Sequence, residues 1–105
     1  MMAFNSPGYM TQGFQAEVPI ETQLMIYDCL DKARQSLKEM DYLQVFKLDK
    51  VSSNGSYCQR VIHSQEVPPF EKTVYLTLPE DRIITTKIYV IDDGDHHTFL
   101  LASEY

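Results

Sequence analysis

The sequence is short of glycine and cysteine, and it has no tryptophan. It contains four glycines and two cysteines among 105 residues. Neither of the glycine-rich phosphate-binding motifs, GxxxxGKS/T and GxGxxG, occurs in it, and the nucleophile motif GxSxG is also missing. The sequence therefore offers no signature of a nucleotide-binding loop or of a serine hydrolase.

The two cysteines lie far apart and do not form a CxxC pair, so neither a disulfide framework nor a cysteine-based zinc site is expected. Cys29 falls in an apolar, helix-like pattern, where we expect it to be buried and inert. Cys58 is five residues from His63. An odd separation on a strand places two side chains on opposite faces, which argues against a catalytic Cys–His pair.

Long apolar runs are also missing. No stretch approaches the ~20 apolar residues of a membrane span. The opening segment "MMAFNSPGYM" has neither the basic start nor the apolar centre of a signal peptide. We therefore expect a cytoplasmic protein with reduced thiols and no contact with a membrane.

Basic residues are outnumbered, since fifteen carboxylates face nine lysines and arginines and give a formal charge of −6. An acidic chain repels phosphates, so direct binding to nucleic acid is disfavoured. The same charge would attract a protein partner with a basic surface. The negative charge is also explained by a role in solubility alone.

What the sequence does contain is an orderly pattern of secondary structure, beginning with a helix. Residues 1–18 are predicted to form an extended arm, with a short strand near "YMTQGF". Residues 19–40 are predicted to form one long helix, because Pro19 and Glu21 suit a first turn and apolar residues then recur in steps of three and four. That stripe consists of Ile20, Leu24, Tyr27, Leu30, Ala33, Leu37 and Met40.

The segment 42–105 is predicted to be an antiparallel sheet. Its strands are expected at 42–51, 57–67, 71–78, 84–91 and 98–103. Asn54-Gly55 between the first two runs predicts a two-residue hairpin turn, since both residues accept positive φ. The connections are too short for parallel crossovers. The predicted fold is a single α+β domain over residues 1–105, with one helix packed on about five antiparallel strands.

The densest polar stretch is "VIDDGDHHTF", residues 90–99, which could be a metal site or a turn. Aligned as a calcium loop on Gly94, it places Tyr89, Ile91 and Leu100 at ligand positions, so the match fails. Adjacent histidines on a strand point to opposite faces, which is awkward for zinc. We predict a turn, with no metal and no cofactor.

The candidate contact residues are carboxylates and tyrosines. Glu80 and Asp81 lie in one predicted loop, and Asp92, Asp93 and Asp95 lie in another. If the strands on either side of Pro79 pair, the two loops lie at opposite ends of a hairpin. Two strand tyrosines, Tyr75 and Tyr89, are predicted on the sheet face opposite the aliphatic residues, where they suit a protein interface or simply cover a half-buried sheet.

Several segments together resemble a known family. They are "AFNSPGYMTQGFQAEVPIETQL", "DYLQVF", "VIHSQEVP" and "IYVIDDGDHHTFLLASEY", in this order. They resemble the domain-of-unknown-function family numbered 960, found in Firmicutes. The resemblance implies a cytoplasmic bacterial protein that is often carried by phages and other mobile elements, and it implies no activity. In size, charge and lack of chemical motifs, the chain is also similar in type to anti-CRISPR inhibitors.

The sequence therefore favours a non-catalytic protein-binding module, in its sharpest form an inhibitor of a Cas9-type nuclease whose carboxylates mimic phosphates. One alternative is a small hydrolase or metal-dependent enzyme using His63, His96 and nearby aspartates. A further alternative is a structural protein that forms a homodimer through a sheet edge.

Overall fold

A computed structural model of the protein describes residue 4 and residues 8–105. The chain is α+β, with two helices and a six-stranded sheet. In order, its elements are β1 (Gly8–Met10), α1 (Gln12–Glu17), α2 (Ile20–Ser36), β2 (Leu43–Ser53), β3 (Ser56–Gln65), β4 (Phe70–Leu76), β5 (Thr86–Asp92) and β6 (His97–Leu101). Two short 3-10 helices, Glu80–Arg82 and Ala102–Glu104, precede β5 and follow β6.

The sheet is mixed rather than purely antiparallel. Its strand order is β1-β6-β5-β2-β3-β4, and β1 pairs with β6 in parallel while every other neighbouring pair is antiparallel. The expected sheet of about five antiparallel strands did not include β1. A short strand was predicted near "YMTQGF", and β1 overlaps it at Tyr9 and Met10, but its parallel pairing with β6 was not predicted, because three residues are too few to indicate a partner strand. The strands on either side of Pro79 do not pair, since β4 lies at one edge and β5 lies between β6 and β2.

The predicted hairpin turn is confirmed. Asn54 and Gly55 have φ values of 52° and 80°. Ser53 and Ser56 are paired directly across from each other at the ends of β2 and β3. Positive φ at both central residues matches the twist of the flanking strands, which is why an Asn-Gly pair closes this connection.

The N-terminal segment differs from the prediction. The region expected to be an extended arm contains α1, which is capped where the Thr11 side chain accepts a hydrogen bond of 3.2 Å from the backbone N–H of Phe14. The long helix begins at Ile20 but ends at Ser36 rather than at residue 40. Among the helices in the described part of the chain, none is long and apolar enough to cross a membrane.

The buried face of α2 is also rotated from the predicted stripe. Ile20 and Leu24 are each 57% exposed. The residues that are buried are Thr22, Gln23, Ile26, Cys29, Leu30 and Ala33. Gln23 can be buried because its amide nitrogen donates a 2.8 Å hydrogen bond to the carbonyl oxygen of Val18, which satisfies a polar group that would otherwise be costly to bury.

The helices pack on one face of the sheet, here called the inner face. Its buried apolar residues include Phe46, Leu48, Val61, Ile88, Val90 and Phe99, which cluster with Ile26 and Leu30 of α2 and Phe14 of α1. Strand residues alternate between the two faces. The opposite, outer face therefore carries, among others, Leu43, Val45, Lys47, Asp49, Val51, Cys58, Arg60, Ile62, Ser64, Glu71, Thr73, Tyr75, Lys87, Tyr89 and Ile91. These residues are half-buried or exposed.

Candidate functional site

The first acidic loop folds as a 3-10 helix before β5, and its side chains are partly engaged within the chain. Glu80 forms an ion pair of 3.1 Å with Lys50 of β2. Asp81 is exposed. Arg82 pairs with Glu21 of α2, and the guanidinium holds the pKa of that carboxyl below its usual range. Ion pairs therefore connect this loop to the β2–β3 hairpin and to α2. Asp81 is the carboxylate of the loop that is most accessible to a partner.

The second acidic segment is a turn between β5 and β6, with Gly94 at a φ of 92°. Asp92 supports this turn. One of its oxygens accepts a 3.0 Å bond from the N–H of Gly94, and the other accepts a 3.1 Å bond from the N–H of Phe4. Asp93 lies 3.3 Å from the His96 ring, and Asp95 is exposed. Among the described residues, no group of three or more His, Cys, Asp or Glu could hold a metal ion.

The two acidic loops do not form one patch. Glu80 and Asp81 precede β5, whereas the segment 92–95 begins at its last residue. The seven residues of β5 span roughly 20 Å at about 3.3 Å per residue. The structure therefore brings together the carboxylates of each loop but leaves the two loops at opposite ends of a strand.

Tyr75 and Tyr89 both lie on the outer face, as predicted, but at separate places. Tyr75 is 58% exposed on the edge strand β4, directly opposite Arg60 of β3. Tyr89 lies on β5 and packs edge-on against Tyr105, with ring centroids 5.5 Å apart. The outer face is thus the one surface that both predicted tyrosines share.

The centre of the outer face carries a group of charged residues that the sequence did not single out. Lys47 of β2 is directly opposite Lys87 of β5, and both are exposed. Asp49 follows Lys47 by two residues on β2, and both of its carboxylate oxygens accept hydrogen bonds from Arg60, at 2.9 and 2.6 Å. Arg60, assisted by Lys47, holds the pKa of Asp49 below its usual range. We call Lys47, Asp49, Arg60 and Lys87 the basic centre.

Only part of the basic centre could have been found by sequence alternation. In "YLQVFKLDKV", the odd-numbered residues Val45, Lys47 and Asp49 share a face. The position of Lys87 depends instead on the register between β2 and β5, two segments that are distant in sequence. No local pattern encodes that register.

The inner face holds a buried polar network at the end of the sheet near Asp41. His63 is 1% exposed, stacks on Phe46 with centroids 4.2 Å apart, and its Nε2 lies 2.7 Å from the Oε1 of Gln44. The amide nitrogen of Gln44 donates to Gln65 at 2.7 Å. The Gln44 oxygen is therefore the acceptor, and Nε2 of His63 carries the proton.

Burial, and secondarily the charge of Lys72, lower the pKa of His63 to about 4. The imidazole is neutral at pH 7. His96 lies in the turn before β6. Three strand spacings across the sheet and several residues along the strands separate it from His63, a distance of roughly 20 Å. The structure does not bring together the two histidines of the hydrolase alternative.

The cysteines also lie apart. Cys29 is buried in α2, and burial raises the pKa of its thiol. Cys58 is half-buried opposite Val51, on the outer side of the β2–β3 hairpin. Its side chain and that of His63 point to opposite faces of β3.

A cavity of about 520 Å³ lies between α2 and β1. Its walls include Phe4, Tyr9, Tyr27, Leu30 and Phe99. This volume is in the range of small-molecule pockets. Phe4 and Gly8 form part of its wall.

Comparisons with known proteins give a family and a fold. The family model described as "Staphylococcal protein of unknown function (DUF960)" matches residues 8–104. A crystal structure of a protein of unknown function from Enterococcus faecalis is similar to this chain with a TM-score of 0.74 and 24% identity. The similarity covers 96% of this chain and 92% of that one, and it shows a shared fold. No curated protein matches.

Proposed function

The chain belongs to the DUF960 family of proteins of unknown function, and we propose that it is a non-catalytic module that binds another protein through the outer face of its sheet. The observation that carries the proposal is the contrast between the two faces. Both α-helices contribute their buried residues to the inner side. The outer face keeps aliphatic and tyrosine side chains half-exposed around the basic centre.

The composition of the outer face fits a protein interface. Interfaces combine aliphatic contact area with tyrosine and arginine, which are enriched in them. Two shallow grooves lie on this face. One, of about 360 Å³, is lined by Leu43, Val45 and Tyr89 among others. The other, of about 420 Å³, includes Arg60 and Tyr75. Grooves of this kind receive the side chains of a partner.

Binding, rather than catalysis, is supported by the state of the titratable groups. A general base must reach its substrate and must have a pKa near the working pH. His63 is buried within the inner layer, with its pKa lowered to about 4. The exposed carboxylates of the two acidic loops lie at opposite ends of β5.

Site-specific photo-crosslinking in bacterial cells tests the proposal. A photoreactive residue would be placed at Thr73 or Ile91 on the outer face, and at Gln35 on the solvent-facing side of α2 as the matched control. We expect discrete crosslinked products from the two outer-face positions and none from the control. Products from Gln35 that equal those from the sheet would reject the outer face as the interface.

A narrower proposal concerns the acidic turn. According to this proposal, the module is a mobile-element-encoded inhibitor of a Cas9-type nuclease, and its exposed carboxylates contact the basic channel of that enzyme. It is supported by the net charge of −6 and by the exposure of Asp81, Asp93 and Asp95. Asp92 is excluded from this role because both of its oxygens accept backbone hydrogen bonds within the chain.

The narrower proposal is tested by DNA cleavage with a purified Cas9-type nuclease. The parent protein should inhibit cleavage, and Asp93→Asn combined with Asp95→Asn should weaken inhibition, chiefly through a slower association rate. Absence of inhibition by the parent across several such nucleases rejects the nuclease target. It leaves the outer-face proposal to be decided by crosslinking.

A further inference from the structure

The basic centre breaks a rule of sheet stability. Residues directly opposite in neighbouring strands stabilise a sheet when their charges are opposite and destabilise it when they are alike. Lys47 and Lys87 are directly opposite, and both are lysine. Neither forms an ion pair among the described residues. Local rules of this kind are typically broken at functional sites, where a group is kept for what it binds.

The one carboxylate within the basic centre does not neutralise it. Asp49 interacts with Lys47, but both of its oxygens are already bonded to Arg60. The four residues therefore carry two net positive charges, although the chain as a whole carries −6. Glu71 lies directly opposite Ser64 on the same face. The basic side chains Lys47, Arg60 and Lys87 therefore outnumber the carboxylates Asp49 and Glu71 on the strands of the outer face, whereas carboxylates are in excess in the chain as a whole.

The surroundings of the two lysines are apolar. Val45 lies two residues before Lys47 on the same face, Ile62 is directly opposite Lys47 on β3, and Tyr89 is directly opposite Val45 on β5. The groove lined by Val45 and Tyr89 also includes Lys87, together with the carboxylates of Asp41 and Glu66 beyond the strand ends. A ligand that satisfies this face must therefore present carboxylates beside apolar side chains.

We propose that the outer face binds an acidic, apolar segment of a partner protein. Its carboxylates pair with Lys47 and Lys87, and its apolar side chains pack on Val45, Ile62 and Tyr89. This inference rests on the proposed protein-binding function and adds the chemistry of the partner. A polyanion such as nucleic acid would meet the negative charge of the remaining surface. A second copy of the chain would bring a second pair of opposed lysines to the same interface.

The test is selection of binders from a displayed library of random peptides against the intact protein. We expect enriched peptides that combine aspartate or glutamate with apolar residues. Their binding should fall at least tenfold in the variant Lys47→Glu/Lys87→Glu. The matched control, Lys32→Glu/Lys38→Glu, changes the net charge equally on α2 and just beyond it, and should bind as the parent does.

Each outcome decides the inference. Enriched peptides that are basic or uncharged, or that bind the Lys47→Glu/Lys87→Glu variant as well as the parent, overturn it. Failure to enrich any peptide also overturns it, because a short acidic segment is claimed to suffice. In both cases crosslinking from the outer face still tests the broader protein-binding function separately.

Analytical sedimentation of the protein alone tests whether the outer face binds a second copy of the chain instead. We expect a monomer. A dimer that dissociates when Ile62 is replaced by glutamate would show that the outer face binds a second copy, and would overturn the acidic-partner inference.

Discussion

Replacing Lys87 with glutamate should stabilise the folded protein. The substitution turns the opposed Lys47–Lys87 pair into a Lys–Glu pair and so exchanges a repulsion for an attraction. It adds no buried group, because both positions are exposed. Most surface substitutions change the free energy of unfolding by less than about 0.5 kcal/mol in either direction. A reproducible gain from a surface charge reversal would therefore be informative.

The expected size of the gain follows from the geometry. Directly opposed cross-strand pairs contribute about 0.2–1 kcal/mol. An exposed pair does not reach the upper end of that range, because charges are screened over about 8 Å at physiological salt. We expect a gain of about 0.5 kcal/mol in the free energy of unfolding. For 105 residues, with about 2.1 cal/mol/K of unfolding entropy per residue, this raises Tm by about 2 °C.

The assay is thermal and urea unfolding of the parent and the variant at low and high salt. The difference should be larger at about 0.01 M salt, where the Debye length is about 30 Å, and should nearly vanish at about 1 M, where it is about 3 Å. Lys38→Glu is the control, since it changes the net charge equally at an exposed position beyond α2.

A double-mutant cycle gives the sharpest test. Lys47→Glu combined with Lys87→Glu restores two like charges, so the gain of the single variant should disappear, giving clear non-additivity. If Lys87→Glu gains no more than Lys38→Glu, or if the two substitutions are additive, the opposed lysines do not repel. Retention of the two lysines for binding would then have no support.

Three further results are expected. Asp92→Ala should lower the free energy of unfolding by about 1–2 kcal/mol, because it removes the acceptor of two backbone N–H groups. Asp95→Ala should be nearly neutral, and equal effects of the two variants in thermal unfolding would contradict the structural role of Asp92. The pKa of His63 is about 4 in the folded protein and near 6.5 when unfolded, so its contribution to the free energy of unfolding should be full above pH 6.5 and should decline as pH falls toward 4, by at most about 3 kcal/mol. This part of the pH dependence of urea unfolding should be absent in His63→Phe, and its persistence in that variant would refute the assignment to His63. Thiol labelling under native conditions should modify Cys58 well before Cys29, whose thiol is buried with a raised pKa; equal rates measured by mass spectrometry would contradict the packing of α2.

Local features were predictable from the sequence, and features set by register were not. Asn54 and Gly55 encode their turn directly, because few other residues tolerate positive φ. The alternation of β2 likewise places Lys47 on a face. Which strand lies beside β2, and which residue lies beside Lys47, depends on long-range pairing that leaves no local pattern.

The rotation of α2 has a similar cause. A stripe of apolar residues predicted its buried face, yet Leu24 is exposed while Thr22 and Gln23 are buried. Gln23 is accommodated by a hydrogen bond to a specific carbonyl group, that of Val18. A helical wheel weighs polarity but contains no information about such partners, so it could not predict the exchange.

The parallel pairing of β1 with β6 means that folding of the N-terminal elements cannot be completed until β6 has been synthesised. On the ribosome, β1 and α1 emerge before β2, β3, β4 and β5, and their partner strand β6 is made after all of these. Thr11 donates its backbone N–H to Phe99 at 3.0 Å, and its hydroxyl lies 2.6 Å from the Glu104 carboxylate. Phe14 likewise packs against Phe99, with ring centroids 5.5 Å apart. A nascent chain therefore exposes Phe14 until β6 emerges, and contacts between segments so distant in sequence make folding slow. Chains that terminate before β6 should be substrates for chaperones and proteases rather than smaller folded domains.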